Sequence, residues 1–296
     1  MLKIVYSICC GIDVHKKFLV ACIASTNANG VTTYKSCRFS TFTSGLRKLA
    51  QWLASNSCID VCMESTGKYW IPVYNVLEST CKIVLAHPKY VKAIRGKKTD
   101  KKDAKWIADL FKHDLIAASF MPPLAIRQLR DLMRYRFKLT NFSSSEKNRI
   151  QNCLTVSNIQ LANVVSDTFG KSSMKIIDYL LANPNVQDFN FVPLLHPSML
   201  PKVDEIRLAL DGVITPEQLL KMKIIFQHFD ALELCKSNLE SLVLSLAEPY
   251  AEERSLVSTV PGIKNPFSVI AIISEIGVDM SVFPTAKHLC SWAGLT

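Results

Sequence analysis

Apolar and polar positions in the first part of the chain follow a strand-like pattern. Three segments rich in apolar and β-branched residues, Ile4–Asp13, Phe18–Ser25 and Val31–Phe39, are separated by short polar stretches. The stretch Asn27–Gly30 between the second and the third has the composition of a turn. The pattern therefore predicts three consecutive strands joined by short connections.

The pattern then changes to helices interleaved with strands. Thr43–Ser55 repeats its apolar residues at helical spacing, with Thr43 or Ser44 as the candidate N-cap. The elements predicted after it are a strand at Ile59–Met63, a helix at Tyr69–Glu78, a strand at Lys82–Ala86 and a helix at Asp100–Lys112. Three strands followed by this alternation predict an α/β domain with a mixed sheet.

The rest of the chain is predicted to be mainly helical. After the joint at Pro122-Pro123, a helical pattern with basic residues on its other faces runs, with breaks, to about Val165. Residues 166–200 look broken by loops, and Pro216–Leu246 is helical again. The predicted domains are an α/β domain at 1–120, a helical connector with a coiled coil at 121–250 and a C-terminal module at 251–296.

Composition and charge point to a folded protein with a polyanionic partner. The chain is 49% hydrophobic and 20% charged, which excludes a disordered protein, and its formal net charge is +10. Between Lys82 and Lys112 ten Lys and Arg residues face three Asp and no Glu, so this segment carries +7. Such a basic segment is typical of nucleic-acid binding, and the alternative is an ordinary soluble basic surface.

The ten cysteines do not form a recognisable disulfide or zinc pattern. The start of the chain becomes charged at Asp13 to Lys17, which suits a buried strand better than a secretory signal. No apolar run reaches the roughly 18–20 residues that a membrane span needs. We therefore expect a cytoplasmic protein with reduced core cysteines.

Two acidic residues come at the ends of predicted strands. Asp13 ends the first strand, and Glu64 follows the strand Ile59–Met63. An isolated carboxylate at the end of an apolar strand is costly to bury without a partner. Asp13 is therefore either an edge acid facing water or part of a site. Glu64 is either an acid that stabilises the start of a following helix or part of the same site.

Two further acids open the helix predicted at Asp100–Lys112. Asp100 and Asp103 are three residues apart, so their side chains share one face of a helix. The simpler interpretation is that Thr99 caps the helix and the two acids stabilise its first turn, with the neighbouring lysines as charge compensation.

The four carboxylates together favour a metal site. In a mixed sheet the first strand can lie beside the fourth, which would bring Asp13 next to Glu64, and a later helix could add Asp100 and Asp103. Carboxylates held close together repel one another unless a cation lies between them. Mg²⁺ prefers oxygen ligands and binds phosphate oxygens at the same time. The combination indicates phosphoryl-transfer chemistry on a nucleic acid.

Three stretches around these acids resemble a known family. GIDVHKKFLVACI, CMESTGKYWIPVYNVLE and HPKYVKAIRGKKTDKKDAKWIADL are similar to the DEDD-type insertion-sequence transposases, which are bridge-RNA-guided serine recombinases. The C-terminal stretch from VPGIKNPFSVIAII onward resembles their transposase module. The resemblance covers about the first 120 and the last 40 residues.

The resemblance implies a fold, a metal and partners. It implies a ribonuclease-H-like (RuvC-like) N-terminal domain and a catalytic, metal-binding tetrad of Asp13, Glu64, Asp100 and Asp103. The implied cofactor is Mg²⁺, with Mn²⁺ as a second possibility. The implied partners are the DNA of the element ends and of the target, a structured guide RNA, and further copies of the chain in a homodimer or homotetramer.

The resemblance also implies a nucleophilic serine, several residues after a Gly-Leu block. Ala293-Gly294-Leu295 is that block, and we expect the serine to lie beyond Thr296 or to be lost by truncation. Ser291 precedes the block and is better explained as a small residue beside Trp292. Two alternatives stay open: a Holliday-junction-resolvase-like nuclease that needs only the carboxylates, and an inactive nucleic-acid-binding remnant.

Basic residues supply the predicted contacts to nucleic acid. The turn Pro261-Gly262-Ile263-Lys264 resembles that of a helix-hairpin-helix, with lysine where the family has a second glycine. His15 shares the strand face of Asp13, and we favour a surface histidine over a role in the site. The residues expected to contact nucleic acid are Lys68, Lys97, Lys98, Lys101, Lys102, Arg127, Arg130, Arg134 and Lys264.

An apolar seam of the connector is a second candidate contact. Leu129, Leu132, Met133 and Leu139 recur on one side of the predicted helix, which makes this side a candidate surface for pairing with another subunit.

Overall fold

The fold is taken from a computed structural model that describes residues 2–65, 67–88, 99–183 and 190–295. The chain divides into two compact units, Met1–Met121 and Pro122–Thr296. The division falls at the Pro122-Pro123 joint.

The first unit is built on a five-stranded mixed sheet. Its strands are β1 (Ile8–Val14), β2 (Phe18–Thr26), β3 (Thr32–Ser40), β4 (Asp60–Glu64) and β5 (Lys82–Ala86). Their order across the sheet is β3-β2-β1-β4-β5. β2 is antiparallel to β1 and to β3, and β4 is parallel to β1 and to β5. This is the strand order of ribonuclease-H-like domains, and the predicted α/β mixed sheet is confirmed.

The strand β1 begins later than predicted. The sequence pattern starts it at Ile4, but pairing with β2 begins at Ile8. The backbone amides of Val5 and Tyr6 instead donate to the carbonyl of Lys112, and the Tyr6 ring stacks on Phe111 at 4.5 Å between centroids. The backbone before Ile8 is therefore bound to the end of a helix instead of pairing as a strand, while the Tyr6 side chain packs in the core between that helix and the sheet.

Helices cover both faces of the sheet. The helices α1 (Thr43–Ser55) and α2 (Trp70–Leu77) cover one face, and α3 (Asp100–Lys112) covers the other. Side chains alternate between the two faces along each strand. Ile12 and Met63 therefore pack with α1 and α2, whereas Cys9 and Cys62 pack against α3.

The helix α3 approaches β1 unusually closely at Gly11. A Cβ at this position would overlap the carbonyl oxygen of Ala104 and the amide nitrogen of Ala108 and would lie 3.0 Å from the Ala108 Cα. These are backbone atoms of α3, so they cannot move aside as a flexible side chain would. Glycine is therefore required at position 11 for this packing.

The second unit is mainly helical. Its helices are α4 (Leu124–Val156), α5 (Lys171–Ala182), α6 (Val203–Ala209), α7 (Pro216–Leu246), α8 (Ala251–Ser258), α9 (Pro266–Ile276) and α10 (Ala286–Trp292). The long helices α4 and α7 pack against each other, and α9 packs against α4. None of the helices in the described ranges could cross a membrane, since none combines the length and the apolarity that a span requires.

The apolar seam of α4 is used inside this unit. Leu129 and Met133 are buried against Val243 of α7 and Ile270 of α9, and Leu139 is buried as well. The hypothesis that this seam pairs with another subunit is therefore wrong, because its side chains already have partners within the unit.

The segment 166–200 is more regular than the sequence suggested. The helix α5 occupies Lys171–Ala182, and Ile176 and Ile177 are fully buried in a core that also contains Ile150 and Ile206. The prediction of a loop-broken stretch is wrong for α5, since the polar start of that helix, with Ser172 and Ser173, hid its apolar spacing.

The cysteines are free thiols, as expected. Burial raises the pKa of Cys9, Cys58 and Cys62 to about 12, so these side chains stay protonated at neutral pH. They act as small apolar residues of the core.

Candidate active site

Asp13 and Glu64 end two neighbouring parallel strands on the same face of the sheet. Ile12 pairs with Met63 across β1 and β4, so the acids come one residue after paired positions. Residues at matching positions of parallel strands point to the same side. Asp13 is opposite Val20, and Glu64 is opposite Ala86, both of which belong to the face covered by α3.

The first turn of α3 carries the other two acids to this place. The Thr99 side chain accepts a hydrogen bond from the Lys102 amide and caps the helix, as the sequence indicated. Asp100 and Asp103 lie in the first turn. Because α3 contacts β1 directly at Gly11 through Ala104, its first turn comes to the end of β1, where Asp13 lies.

His15 joins the first strand to this helix. Its Nε2 lies 3.1 Å from Asp13 Oδ2 and 3.4 Å from Asp100 Oδ1. One ligand atom from each of the three residues lies within 4.8 Å of the other two. The imidazole also packs on Phe18, with 4.7 Å between ring centroids, and the Arg38 guanidinium lies 3.6 Å from the Phe18 centroid.

The surroundings of Asp13 disfavour its negative charge. Burial raises the pKa of the Asp13 carboxyl above its ordinary range, His15 opposes that rise, and the charges of Asp103 and Asp100 add to it. The Asp13 side chain is 18% exposed, whereas that of Asp100 is 49% exposed. The site therefore concentrates negative charge in a half-buried position at the surface.

These side chains form a possible acidic metal site. Burial is the main cause of the raised pKa of Asp13, and a divalent cation would offset both that burial and the added repulsion from Asp103 and Asp100. The donors are carboxylate oxygens and one imidazole nitrogen, which are ordinary ligands of divalent metals. Glu64 lies at the end of the adjacent strand and is not one of the three residues whose ligand atoms lie within 4.8 Å of each other.

His15 lies at the surface, as we favoured from the sequence, with 41% of its side chain exposed. What the sequence did not predict is that this side chain bridges Asp13 and Asp100. The available signal was its position two residues after Asp13, which places both on one strand face. Its distance to Asp100 could not be read from the sequence, because that distance depends on the packing of α3.

Some of the predicted basic residues are exposed and lie close in sequence to the acids. Lys101 and Lys102 are exposed on the first turn of α3, and Lys68 is exposed four residues after Glu64. Lys97 and Lys98, which we also expected to contact nucleic acid, lie outside the described residues.

The arginines of α4 contact the protein itself. Arg130 donates from Nε to the Ser274 carbonyl at 2.9 Å and from Nη2 to the Glu275 carbonyl at 2.8 Å, at the C-terminal end of α9. Arg134 makes a bidentate pair with the Glu275 carboxylate at 2.8 and 2.9 Å. Arg127 donates to the Pro122 carbonyl at 3.1 Å. These contacts assign Arg130 and Arg134 a structural task that the sequence did not reveal.

The hairpin of α8 and α9 contains the last predicted contact. Gly262 has a φ of +87° and open space around it, whereas Lys264 is not among the described residues with positive φ. Lys264 therefore does not adopt the positive φ that glycine favours, so the backbone of this turn does not require a glycine at position 264. Ser291 is exposed on α10, next to Trp292, whose ring lies 5.6 Å from that of Phe283.

Comparisons with solved structures return matches of low similarity. The RuvC structure from Thermus thermophilus is 11% identical, with a TM-score of 0.27 over 34% of this chain and 90% of its own. A Fowlpox virus resolvase in complex with Holliday junction DNA is 17% identical, with a TM-score of 0.24 over 35% of this chain and 72% of its own. No curated protein matches the chain in sequence.

Two family models match the sequence itself. Residues 10–159, half of the chain, match the IS110-type DEDD transposase family, and residues 254–296 match the transposase IS116/IS110/IS902 family. The first match includes all four acids and His15, and the second includes the hairpin of α8 and α9. The chain therefore belongs to the IS110 family of transposases and is a DNA transposase.

Proposed function

We propose that this transposase performs Mg²⁺-dependent phosphodiester cleavage and strand exchange of an insertion sequence, with Asp13, Glu64, Asp100 and Asp103 as its catalytic carboxylates. The observation that carries the proposal is the contact between the first turn of α3 and the end of β1. This contact brings carboxylates about ninety residues apart in sequence together at Asp13, whose pKa is raised by burial first and further by the charges of Asp103 and Asp100.

Each carboxylate has a defined task in this proposal. Asp13 and Asp100, whose oxygens both lie near His15 Nε2, would hold the cation, and Glu64 and Asp103 would complete its surroundings. A bound Mg²⁺ supplies Lewis-acid stabilisation of charge on the phosphate oxygens. The exposure of the Asp100 side chain leaves the site open to a DNA backbone.

The exposed lysines would orient the nucleic acid. Lys101 and Lys102 follow Asp100 directly, so their ammonium groups can bind phosphates next to the cleaved one. Lys68 would do the same on the side of Glu64, and Lys97, Lys98 and Lys264 are further candidates by sequence. Arg127, Arg130 and Arg134 are less suited, because the protein engages their guanidinium groups.

A nicking assay tests the proposed carboxylates. Supercoiled plasmid carrying the element ends is incubated with the chain and Mg²⁺, and nicked product is measured over time. We expect Asp13→Asn and Asp103→Asn each to reduce nicking at least about a hundredfold, since charge stabilisation at the phosphate is lost. The control is Asp178→Asn, an exposed acid of α5. Equal nicking by wild type and Asp13→Asn would contradict the proposal.

We further propose that a structured RNA guides the reaction and that the active form is a homodimer or homotetramer. The formal charge of +10 supports binding to a second polyanion besides DNA, and strand exchange has to hold two duplexes. Sequencing the RNA that co-purifies with the chain tests for a guide RNA. Light scattering of the complex with that RNA measures the oligomeric state. A monomeric active species, or activity that survives ribonuclease treatment, would overturn the corresponding point.

A junction-resolving nuclease is the second candidate. All four carboxylates come from the first unit, so hydrolysis would need no residue of the second. A denaturing gel separates the two chemistries. A covalent protein–DNA adduct supports strand exchange through a protein nucleophile. Product that is only nicked, with no adduct under trapping conditions, supports the nuclease.

A further inference from the structure

We propose that His15 is itself a metal ligand in this chain, and that the site therefore prefers Mn²⁺ to Mg²⁺. This inference rests on the proposed function, because it concerns the same carboxylates. As a ligand, His15 would add a nitrogen donor to the carboxylate oxygens, and this donor would give the site a preference for Mn²⁺ over Mg²⁺.

The first argument is the spacing of the three atoms. In an octahedral site with ligands at about 2.1 Å from the ion, adjacent ligand atoms lie about 3.0 Å apart. His15 Nε2 lies 3.1 Å from Asp13 Oδ2 and 3.4 Å from Asp100 Oδ1. The third separation, between the two carboxylates, is within 4.8 Å. One ion can therefore reach His15 Nε2 together with either oxygen after shifts of a few tenths of an ångström. It reaches all three atoms when the two oxygens lie no more than about 4.2 Å apart, the separation of opposite ligands.

The second argument is how the imidazole is held. The ring packs on Phe18, and the His15 backbone amide donates to the Phe18 carbonyl at 2.9 Å, so the backbone and the ring are both fixed by the same residue. The Arg38 guanidinium covers the Phe18 ring. A side chain fixed in this way pays little conformational entropy when it binds a metal.

The third argument concerns the choice of ion. Carboxylates suit Mg²⁺ and Mn²⁺ alike, whereas imidazole favours first-row transition ions over Mg²⁺. Among the first-row transition ions, Mn²⁺ is the one that shares the preference of Mg²⁺ for carboxylate ligands. A site with two carboxylates and one imidazole therefore binds Mn²⁺ more tightly relative to Mg²⁺ than an all-oxygen site does.

The test measures binding to the full chain and not catalysis. Mn²⁺ is titrated while the electron paramagnetic resonance signal of the free ion is followed, and pulsed spectra report whether a nitrogen is bonded to the bound ion. Mg²⁺ competition gives the ratio of the two affinities. The variants are His15→Gln, which removes the nitrogen donor, and His15→Asp, which restores a charged oxygen donor. The control is His288→Gln, an exposed histidine of α10 that contacts Thr285.

The expected results are specific to a ligand. Wild type and His288→Gln should show a nitrogen coupling, and both His15 variants should lose it. Removing a residue that only orients a metal ligand costs about tenfold to a hundredfold in affinity, and a direct ligand costs at least as much. We therefore expect the preference for Mn²⁺ over Mg²⁺ to fall by at least about tenfold in His15→Gln, and His15→Asp to recover Mg²⁺ binding. Circular dichroism confirms that each variant is folded.

The outcomes separate this inference from the proposed function. Suppose that wild type binds Mn²⁺ without a nitrogen coupling and that the Asp13→Asn variant loses this binding. That result overturns the assignment of His15 as a ligand, and it still supports the carboxylate site. Failure of wild type to bind either ion overturns both. A coupling that persists in His15→Gln assigns the nitrogen to another residue and overturns this inference alone.

Discussion

The carbonyl oxygen of Ala104 occupies the space that a Cβ on Gly11 would need. This contact between α3 and β1 lies one residue from Asp103 and two residues from Asp13 in sequence. The absence of a side chain at position 11 thus sets how close the two pairs of acids come.

Gly11→Ala should therefore weaken both the fold and the site. Overpacking of this kind costs about 1–3 kcal/mol, which urea denaturation measures. We expect the affinity for Mn²⁺ to fall as well, because the first turn of α3 moves away from Asp13. The control is Gly30→Ala, at a turn with a φ of +77° and no atom near the new Cβ. It costs roughly 1 kcal/mol through backbone strain and should leave metal affinity unchanged. Equal loss of metal affinity in both variants would contradict this role of Gly11.

Asp13→Asn should stabilise the fold while it abolishes nicking. The pKa of Asp13 lies above its ordinary value of 3.8 in the folded chain, so the folded state holds this proton more tightly than the unfolded state. Its contribution therefore destabilises the protein above the folded pKa and disappears as the pH falls below 3.8. In buffer with a chelator at pH 7 we expect a higher urea midpoint for Asp13→Asn than for wild type, and a shrinking difference toward pH 4. A lower midpoint at pH 7 would show that the Asp13–His15 contact outweighs the burial cost.

Replacing Arg130 by alanine should destabilise the protein more than replacing Arg134, although both are basic residues of α4. Arg130→Ala leaves two carbonyls at the end of α9 without their donor, which costs about 1–3 kcal/mol. Arg134 is 63% exposed, and its pair with Glu275 contributes about 0–1 kcal/mol. Urea denaturation of the two variants measures the difference. A fall in DNA affinity without a fall in stability for Arg130→Ala would instead support the contact to nucleic acid.

Lys101 and Lys102 should act on DNA through charge alone. Each phosphate contact adds about one unit to the slope of log affinity against log salt concentration. We expect Lys101→Gln and Lys102→Gln to lower that slope by about one unit each and to weaken binding equally for all DNA sequences. Fluorescence anisotropy between low and moderate salt measures the slope, with Lys175→Gln of α5 as the control. An unchanged slope in both variants would remove these lysines from the proposed surface.

The predicted elements with strong local patterns agree with the structure residue by residue. Although the N-cap of α1 is Phe42 and not Thr43 or Ser44 as predicted, the bounds of the helices Thr43–Ser55 and Asp100–Lys112 and of the strand Lys82–Ala86 were predicted correctly. The start of β1 was not predicted correctly. Tyr6 is as apolar as a strand residue, and only its stacking on Phe111 shows where it packs.

The part of the site that the sequence could not predict consists of contacts between residues far apart in sequence. The expected strand order, a general property of the fold, placed Asp13 and Glu64 at the ends of neighbouring strands. The bridge from His15 to Asp100 and the binding of the α9 end by Arg130 depend on the side-chain positions of elements far apart in sequence. Periodicity carries no information about such pairs.

The packing of α3 on β1 also has a consequence for biosynthesis. Gly11 leaves the ribosome roughly ninety residues before Ala104, and contacts this far apart close late and slowly in folding. Until α3 emerges, the nascent sheet of β1, β2 and β3 exposes the apolar face that carries Cys9, Val20 and Ala24. During translation the emerging transposase should therefore be a client of chaperones, and if Asp103 is catalytic as proposed, it should not cut DNA before its message has been read past the codon for Asp103.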